Sequence, residues 1–544
     1  MSQNRQISMP FWVLSIFFMS FCSLCFQILI ATKLSHLLDE GLFIYPASLG
    51  VFLLFMGLGS FTCSDEKERD GQQLLYSLVK IELLLFIIGS LSILTISYQS
   101  VFPLFENWPI LGGLFFSGLI GYFSGQELPL VLHAYEEFGG KADGARELIF
   151  YDYFASLFAS ITLVLLLIPS YGTLKTSSII ALVNLGICLA LYLKLKNKKP
   201  LIKILLTVGL ILTATLWTQY QKIETDLLER YASLQQGHRF NFKLMATKRT
   251  FYQEVTTYIA RVDGEEVKDH ETEAEILKHP SDYYLAAYLD GNLQFMNLLG
   301  VKSDAYHRYL VEAVVKIQKP KKVLILGGGD GLPARELLQY PEIDSITMVD
   351  LDPEWVNFTK NNPLMAYNSN NGLKNPKLKL EFSDAFKWVI ATDQKFDVVL
   401  IDFPGTNNLA DLRIGTIQFG NDLKRILTKR GVIVFQDDTL RDEDDLPDLF
   451  QTAKLLKVSL LFGTKLDTNL VGDPVSQFLA FKDQGNRDSF LKTYNSTLKK
   501  TWTMNMDFII PRIFPLGRKP RAISFYDPHI LRQSFEDWLE GIFR

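Results

Sequence analysis

Nearly every long apolar run in this 544-residue chain lies before residue 220, and that asymmetry limits the fold more than any motif does. A hydrocarbon layer about 30 Å thick takes roughly 20 apolar residues at a rise of about 1.5 Å each. Seven stretches reach or approach that length, at about 9–31, 42–63, 74–98, 109–134, 148–170, 174–196 and 201–218. The first, MPFWVLSIFFMSFCSLCFQILIA, is longer than the apolar core of a signal peptide and has six more behind it. The pattern predicts a multi-pass α-helical membrane domain of about seven helices over 1–220, in contact with membrane lipid. A linker with a small β-rich subdomain is expected over 221–318, and an α/β domain over 319–544.

Whole-chain averages conceal this split. The chain is 48% hydrophobic and 21% charged with a net charge of −4, yet the residues after 220 read as an ordinary soluble protein. A slightly negative chain without a basic tract gives no footprint for nucleic acid. All four cysteines (Cys22, Cys25, Cys63, Cys188) precede residue 220, so the soluble half has neither a disulfide nor a thiolate metal site, and no metal is expected there. Ten Lys and Arg fall on the N-terminus and the even-numbered loops, against two on the odd loops. The positive-inside rule then puts the N-terminus in the cytoplasm. Seven true spans would place the soluble half outside; if the short seventh stretch does not span, that half stays inside.

Glu82, Glu127 and Asp152 lie within the predicted spans. An ionisable group at membrane depth is costly, which makes each a functional candidate. The plainer readings are that Glu82 pairs with Lys80 or sits near an interface, and that Glu127 and Asp152 serve helix packing near span ends.

In the soluble half, TFYQEVTTYIARV (250–262) is strand-like, and the Asp-Gly of LDGNLQF (289–295) reads as a hairpin turn. A helix, HRYLVEAVVKI, leads into an alternating βα pattern. KKVLILGGGDG is a buried strand running straight into glycines, followed by the helix PARELLQY. SITMVDLD, LKLEFSD, FDVVLIDFP and GVIVFQDD supply four more strands, with a helix around FGNDLKRILTKR before the last. Such alternation implies a Rossmann-like, doubly wound, mostly parallel sheet whose ligand lies across the strand C-termini.

The candidate chemistry falls at those C-termini. Gly327, Gly328, Gly329 and Gly331 let the backbone approach a ligand and turn into a helix. Asp350 ends the second strand about 20 residues on, where an acid commonly accepts ribose hydroxyls; as a bare strand-end acid it would simply be solvated. Asp384 follows the third strand, placed for a base or for capping the helix that starts in SDAF. Asp402 ends the fourth strand. Asp330, among the glycines, is the informative residue, since a carboxylate there would repel a phosphate. It suits a cationic ligand with a sulfonium and a bare ammonium, and disfavours one carrying its own carboxylate.

LDGNLQF, DAYHR, LILGGGDGLPAREL, MVDLDP, FSDAF and FDVVLIDFPG together resemble the polyamine aminopropyltransferases (spermidine synthases), over roughly 250–440. The apolar half, notably FSGQELPL and the ASLFAS to LIPSYG stretch, is similar to their membrane-embedded bacterial branch. The resemblance implies a multi-pass protein of the bacterial inner membrane that moves the aminopropyl group of decarboxylated S-adenosylmethionine to a putrescine-like diamine, giving spermidine and 5′-methylthioadenosine. It implies no further cofactor, small-molecule amine and nucleoside substrates, and a possible homodimer. By resemblance Gln253 contacts the nucleoside, Asp350 the ribose, and Asp384 with Ala385 the adenine. Gly327, Gly328 and Gly329 line the donor. Asp330 holds the aminopropyl ammonium, His307 contacts the amine, and Asp402 accepts its proton.

Three departures concern the amine site. Where the family reads Asp-x-x-Asp-Pro, this chain has DFPG, so Gly405 replaces the second acid and the proline moves to Pro404. Arg308 replaces the glutamate after the histidine, and Asp350 stands for a common glutamate. Two other functions therefore stay open: a transferase on the same scaffold with another donor or acceptor, including a methyltransferase, and a membrane sensor or transporter whose synthase-like domain binds without turnover.

Overall fold

Seven helices occupy the first half among the described residues: α1 (Met9–Leu38), α2 (Gly41–Thr62), α3 (Gly71–Val101), α4 (Trp108–Glu137), α5 (Ala142–Thr162), α6 (Ile168–Lys194) and α7 (Pro200–Gln235). The computed structural model describes residues 7–38, 41–63, 70–102, 108–268, 270–301, 305–403, 416–435, 459–465, 475–482 and 484–497. It divides into two units, Met1–Leu244 and Met245–Arg544.

Five helical stretches among these residues are long and apolar enough to cross a membrane: Met9–Leu37, Phe43–Thr62, Gly71–Val101, Asp143–Lys194 and Pro200–Gln235. The sequence suggested seven, and two features account for the difference. The stretches expected at 148–170 and 174–196 are two helices that follow each other without an intervening loop and are counted together in Asp143–Lys194; the break between them is at Gly172 (φ 72°, ψ 175°), and the first contains a π-helical turn at Leu163–Leu167. α4 carries five glycines between 112 and 125, which lower its mean hydropathy. α7 continues helical through 221–235, where a linker was expected.

The glycines of α4 have a packing role. A Cβ on Gly121 would sit 2.3 Å from the Phe52 carbonyl oxygen, and one on Gly125 2.0 Å from that of Met56. From the other side, a Cβ on Gly59 would meet the Tyr122 carbonyl oxygen at 1.9 Å. α2 and α4 thus touch backbone to backbone through a Gly-x-x-x-Gly pair, the spacing that lets helices approach closely in lipid. Apolar side chains fill this unit's interior and also cover much of its surface, unlike a water-soluble bundle, and polar groups are buried among them. Phe61, Leu111, Tyr153, Leu166 and Leu201 are exposed, whereas Ser20, Ser23, Gln27, Glu82, Glu127 and Asn184 are buried.

The second unit contains a four-stranded antiparallel sheet of β1 (Lys243–Arg249), β2 (Glu254–Arg261), β3 (Tyr283–Leu289) and β4 (Asn292–Leu298), with the short α8 (Glu273–Ile276) between β2 and β3. Asp290 and Gly291 both adopt positive φ (49° and 87°), as a two-residue turn between β3 and β4 requires. After α9 (Ala305–Gln318) come β5 (Lys322–Gly327), α10 (Leu332–Leu337), β6 (Ser345–Asp350), α11 (Pro353–Asn361), α12 (Pro363–Asn368), β7 (Leu378–Phe382), α13 (Ala385–Ala391), β8 (Phe396–Asp402), α14 (Ile417–Ile426) and β9 (Leu427–Phe435). β10 (Ser459–Lys465), β11 (Val475–Phe481) and α15 (Gln484–Thr497) complete it.

The large sheet has the order β10-β11-β9-β8-β5-β6-β7. Its five expected strands are parallel, while β11 and β10 add antiparallel at the β9 edge, so the sheet is mixed. Leu427–Arg430, expected to end a helix, already belong to β9. Alternate residues face opposite layers: Val323, Ile325, Ile346, Met348, Val398 and Leu400 pack with α9 and α10, and Leu324, Leu326, Val349, Val399 and Ile401 with α13 and α14.

Candidate active site

Strand register brings the candidate residues to one edge. Gly327 of β5 lies opposite Asp402 of β8, and Asp350 of β6 opposite Phe382 of β7, two residues before Asp384. Adjacent strands are about 4.8 Å apart, so Asp402, Asp330, Asp350 and Asp384 stand on four neighbouring strand ends spanning about 14 Å.

The glycine turn sets the spacing at one end of this row. Gly327 and Gly328 have φ of 80° and 72°, open to glycine at little cost. A Cβ on Gly327 would lie 2.2 Å from the Asp402 carbonyl oxygen. That oxygen accepts the Gly328 N–H at 3.1 Å, which locks the turn to β8. Asp330 then projects from the crest, its Oδ1 accepting the Leu332 N–H at 2.9 Å.

α9 closes this end. His307 is 1% exposed, and its Nε2 lies 3.6 Å from Asp402 Oδ2 and 3.9 Å from Asp330 Oδ2. Tyr306 Oη donates to Asp402 Oδ1 at 2.8 Å, and its ring stands edge-on to the imidazole at 4.4 Å. Donor atoms of His307, Asp330 and Asp402 lie within 4.8 Å of one another. Two carboxylates this close favour a cation that can donate to both, and an alkylammonium has that chemistry.

Asp350 occupies the middle of the row. It accepts the Asp352 N–H on Oδ1 at 2.8 Å and a backbone N–H from Gly329. Burial pushes its carboxyl up to about 6; the charges of Asp352 and Asp402 add to this, and the two backbone donors oppose it. Gly329 must lack a side chain, because a Cβ there would lie 2.6 Å from Asp350 Oδ2 and 2.5 Å from Trp355 Cδ1.

Gln253 joins the site through Asp352, a residue the sequence reading did not single out. Asp352 Oδ1 caps α11 by accepting the N–H groups of Glu354 (3.0 Å) and Trp355 (3.1 Å). Its Oδ2 accepts Thr250 Oγ1 at 2.6 Å and Gln253 Nε2 at 3.1 Å. Four donors on one carboxylate fix the β1–β2 connection against the strand end beside Asp350. The sequence signal was present, since Asp before Pro353 marks a helix start. Tyr306 was equally visible in DAYHR.

The far end is less direct. Asp384 Oδ1 is occupied as the α13 cap, accepting from Phe386 (2.8 Å) and Lys387 (3.2 Å). The Ala385 side chain is buried in the apolar layer under the sheet. Arg308 acts electrostatically on Tyr340, whose hydroxyl is pushed up to about 12, first by burial and then by Glu312, Glu336 and Glu342, with Arg308 opposing. Pro404 and Gly405 lie outside the described residues.

Residues 303–454 match the spermine/spermidine synthase domain. Over those residues the chain is similar to the spermine/spermidine synthases. It is 29% identical over 432 residues to a polyamine aminopropyltransferase of Leptospira interrogans serogroup Icterohaemorrhagiae serovar copenhageni, covering 78% of each chain. It is 27% identical to a polyamine aminopropyltransferase of Oceanobacillus iheyensis, covering 79% of this chain and 78% of that one. These matches are longer than residues 245–544, so both relatives also align with part of the helical half. A crystal structure of spermidine synthase from Thermotoga maritima, 18% identical, covers 55% of this chain and 88% of its own, with a TM-score of 0.34.

Proposed function

We propose that this chain is a member of the spermine/spermidine synthase family that transfers the aminopropyl group of decarboxylated S-adenosylmethionine to a putrescine-like diamine, yielding spermidine and 5′-methylthioadenosine. The observation that carries this reading is the cluster of Asp330, Asp402 and His307 beside a glycine turn. A turn of this kind otherwise cradles phosphate, and here it presents negative charge to a cation.

The row of acids gives the donor its orientation. Gln253, Gly327, Gly328, Gly329 and Asp350 line the nucleoside, with Asp350 accepting ribose hydroxyls. Asp384 and Ala385 bound the adenine through the backbone of the α13 turn and through Asp384 Oδ2. Asp330 holds the aminopropyl ammonium, and His307 with Asp402 meets the acceptor amine.

In the reaction the acceptor nitrogen attacks the methylene next to the sulfonium. A C–N bond forms, the C–S bond breaks, and sulfur keeps the electron pair as a neutral thioether. The proton lost by the attacking nitrogen passes to Asp402, and Tyr306, donating to the other Asp402 oxygen, holds that carboxylate in place. The leaving group needs no acid, so most of the acceleration comes from holding nitrogen, carbon and sulfur in line.

The apolar outer face, the buried polar groups and the Gly-x-x-x-Gly contact of the helical unit support a multi-pass setting in the cell membrane. Extraction of membranes at alkaline pH tests that part, and release of the chain into the supernatant would refute it. For the reaction, purified full-length protein is given decarboxylated S-adenosylmethionine and a panel of diamines, and methylthioadenosine is measured. Release with one amine, abolished in Asp402→Asn, establishes the transfer and names the acceptor. Binding of methylthioadenosine without turnover on any amine would refute it in favour of a non-catalytic sensor.

A further inference from the structure

Helix α1 carries polar side chains along one face at helical spacing, Ser20, Ser23 and Gln27, with Thr32 beyond them, and all four are buried. Each engages another polar group inside the bundle. Ser20 donates to Asp152 of α5, and Ser23 Oγ to Glu127 Oε1 of α4 at 3.0 Å. Gln27 Nε2 donates to Ser48 Oγ at 2.9 Å, which reaches Ser117 Oγ at 2.9 Å. Thr32 Oγ1 and Tyr45 Oη are 2.8 Å apart, and Tyr45 is exposed. From residue 20 to 32 a helix rises about 18 Å, more than half of a hydrocarbon layer about 30 Å thick.

Two carboxyl groups meet within this file. Glu82 of α3 and Glu127 of α4 lie close enough to act on each other electrostatically, Ser124 Oγ donates to Glu127 Oε2 at 3.4 Å, and Asn184 Nδ2 of α6 donates to Glu82 Oε2 at 2.6 Å. The pairing expected for Glu82 is absent: the Lys80 ammonium sits over the Tyr76 ring at 4.5 Å. No lysine or arginine among the described residues forms a salt bridge with Glu82 or Glu127. What is missing around the pair is donors. Glu82 Oε1 and Asn184 Oδ1 at the pair, and Gln27 Oε1 about one helical turn along α1 from Ser23, are buried oxygens that accept from no side-chain or backbone donor, on residues 0%, 1% and 2% exposed. Orphaned acceptors beside two acids cost several kcal/mol in apolar surroundings unless a cation satisfies them.

We propose that the helical unit binds a small monovalent cation, a proton or an alkali ion, between Glu82 and Glu127, with the polar face of α1 leading to it. The Asn184 amide and the Ser23 hydroxyl complete an all-oxygen environment suited to either. Cys22 of α1, Asp152 of α5 and Cys188 of α6 are the other titratable groups facing the pair. The inference rests on the membrane setting proposed above and is independent of the transferase chemistry.

The test uses the full chain in detergent. Thermal unfolding is followed at fixed ionic strength in NaCl, KCl or choline chloride at pH 8, and in choline chloride from pH 5 to 9. One of Na⁺, K⁺ or H⁺ should raise the midpoint saturably by several degrees. Glu127→Gln should abolish that response, and Glu136→Gln, on an exposed residue of the same helix, should retain it. Gln27→Leu, which removes one orphaned acceptor, should weaken the response and serves where Glu127→Gln does not fold. Methylthioadenosine release by Glu127→Gln should match wild type, separating this site from the active site, and alkaline extraction reports the membrane setting separately. A wild-type midpoint indifferent to all three cations, or a full response in Glu127→Gln, overturns the proposal.

Discussion

Replacing Asp350 by asparagine removes a charge that the folded chain carries at a cost. Burial at the end of β6 is the main reason its carboxyl is pushed from the ordinary 3.8 up to about 6, and Asp352 and Asp402 add to it. Well below pH 3.8 the group is neutral in both folded and unfolded chains, so the charge costs nothing there. As pH rises towards and through the folded value, the unfolded chain ionises freely while the native chain pays for the same charge. The gap from 3.8 to about 6 corresponds to about 3 kcal/mol at pH 8, of which roughly half is already lost at pH 5. Asparagine keeps an oxygen to accept the Asp352 N–H and carries no charge. Asp350→Asn should therefore gain about 1.4 kcal/mol more over wild type at pH 8 than at pH 5. The assay is thermal unfolding of the full chain in detergent, wild type beside variant, at both pH values. The same variant should bind methylthioadenosine about a hundredfold more weakly, since hydrogen bonds to a charged acceptor contribute roughly 1.5–3 kcal/mol each. A variant whose stability gain does not grow with pH refutes the account of the buried charge. One that binds methylthioadenosine as well as wild type refutes the ribose role.

The remaining expectations address the two ends of the site and the helical unit. Asp402→Asn should lower turnover by roughly 10²–10⁴, the range for a lost general base, while methylthioadenosine binding stays within a few-fold of wild type by equilibrium titration. Asp330→Asn should erode the discrimination against S-adenosylmethionine, visible as at least a tenfold change in the ratio of the two donors' inhibition or dissociation constants; an unchanged ratio would remove Asp330 from the recognition of charge. Gly121→Leu should break the α2–α4 contact, because a Cβ alone would already meet the Phe52 carbonyl oxygen at 2.3 Å. Size-exclusion chromatography in detergent should show aggregation, and an unchanged monodisperse peak would contradict the packing.

The parts of the fold that obey local rules could be read from the sequence. Five β-branched, apolar runs followed by helical patterns become the five parallel strands, and Asp290-Gly291 becomes the hairpin turn it resembled. What escaped depends on contacts distant in sequence. Nothing in SLLFGTK or VSQFLAF marks β10 and β11 as antiparallel additions at one edge, because strand direction is set by where the chain returns. The break at Gly172 that separates the stretches at 148–170 and 174–196 was legible, whereas the π-helical turn at Leu163–Leu167 has no residue signature.

The site divides along the same line, and the division bears on its chemistry. Gly327, Asp330, Asp350 and Asp402 were legible because a strand end and a glycine turn fix them, and the register places three of them at neighbouring strand ends. Asp352 and Tyr306 were not, because each works through a partner far away in the chain: Gln253 and Thr250 for one, Asp402 for the other. These two residues decide how the acids can act. Tyr306 occupies one oxygen of Asp402 and leaves the other facing His307, so in the proposed reaction the carboxylate would offer a single, oriented acceptor to an incoming amine. Asp352 spends both oxygens on backbone and side-chain donors, and its charge beside Asp350 helps keep that carboxyl high. A ligand donating hydroxyls to Asp350 relieves this penalty, and one adding a second anion at Asp330 would deepen it. In the proposed reaction, selectivity for a donor with an ammonium and no carboxylate would therefore draw on the whole row of acids, of which the glycine turn shows only the first.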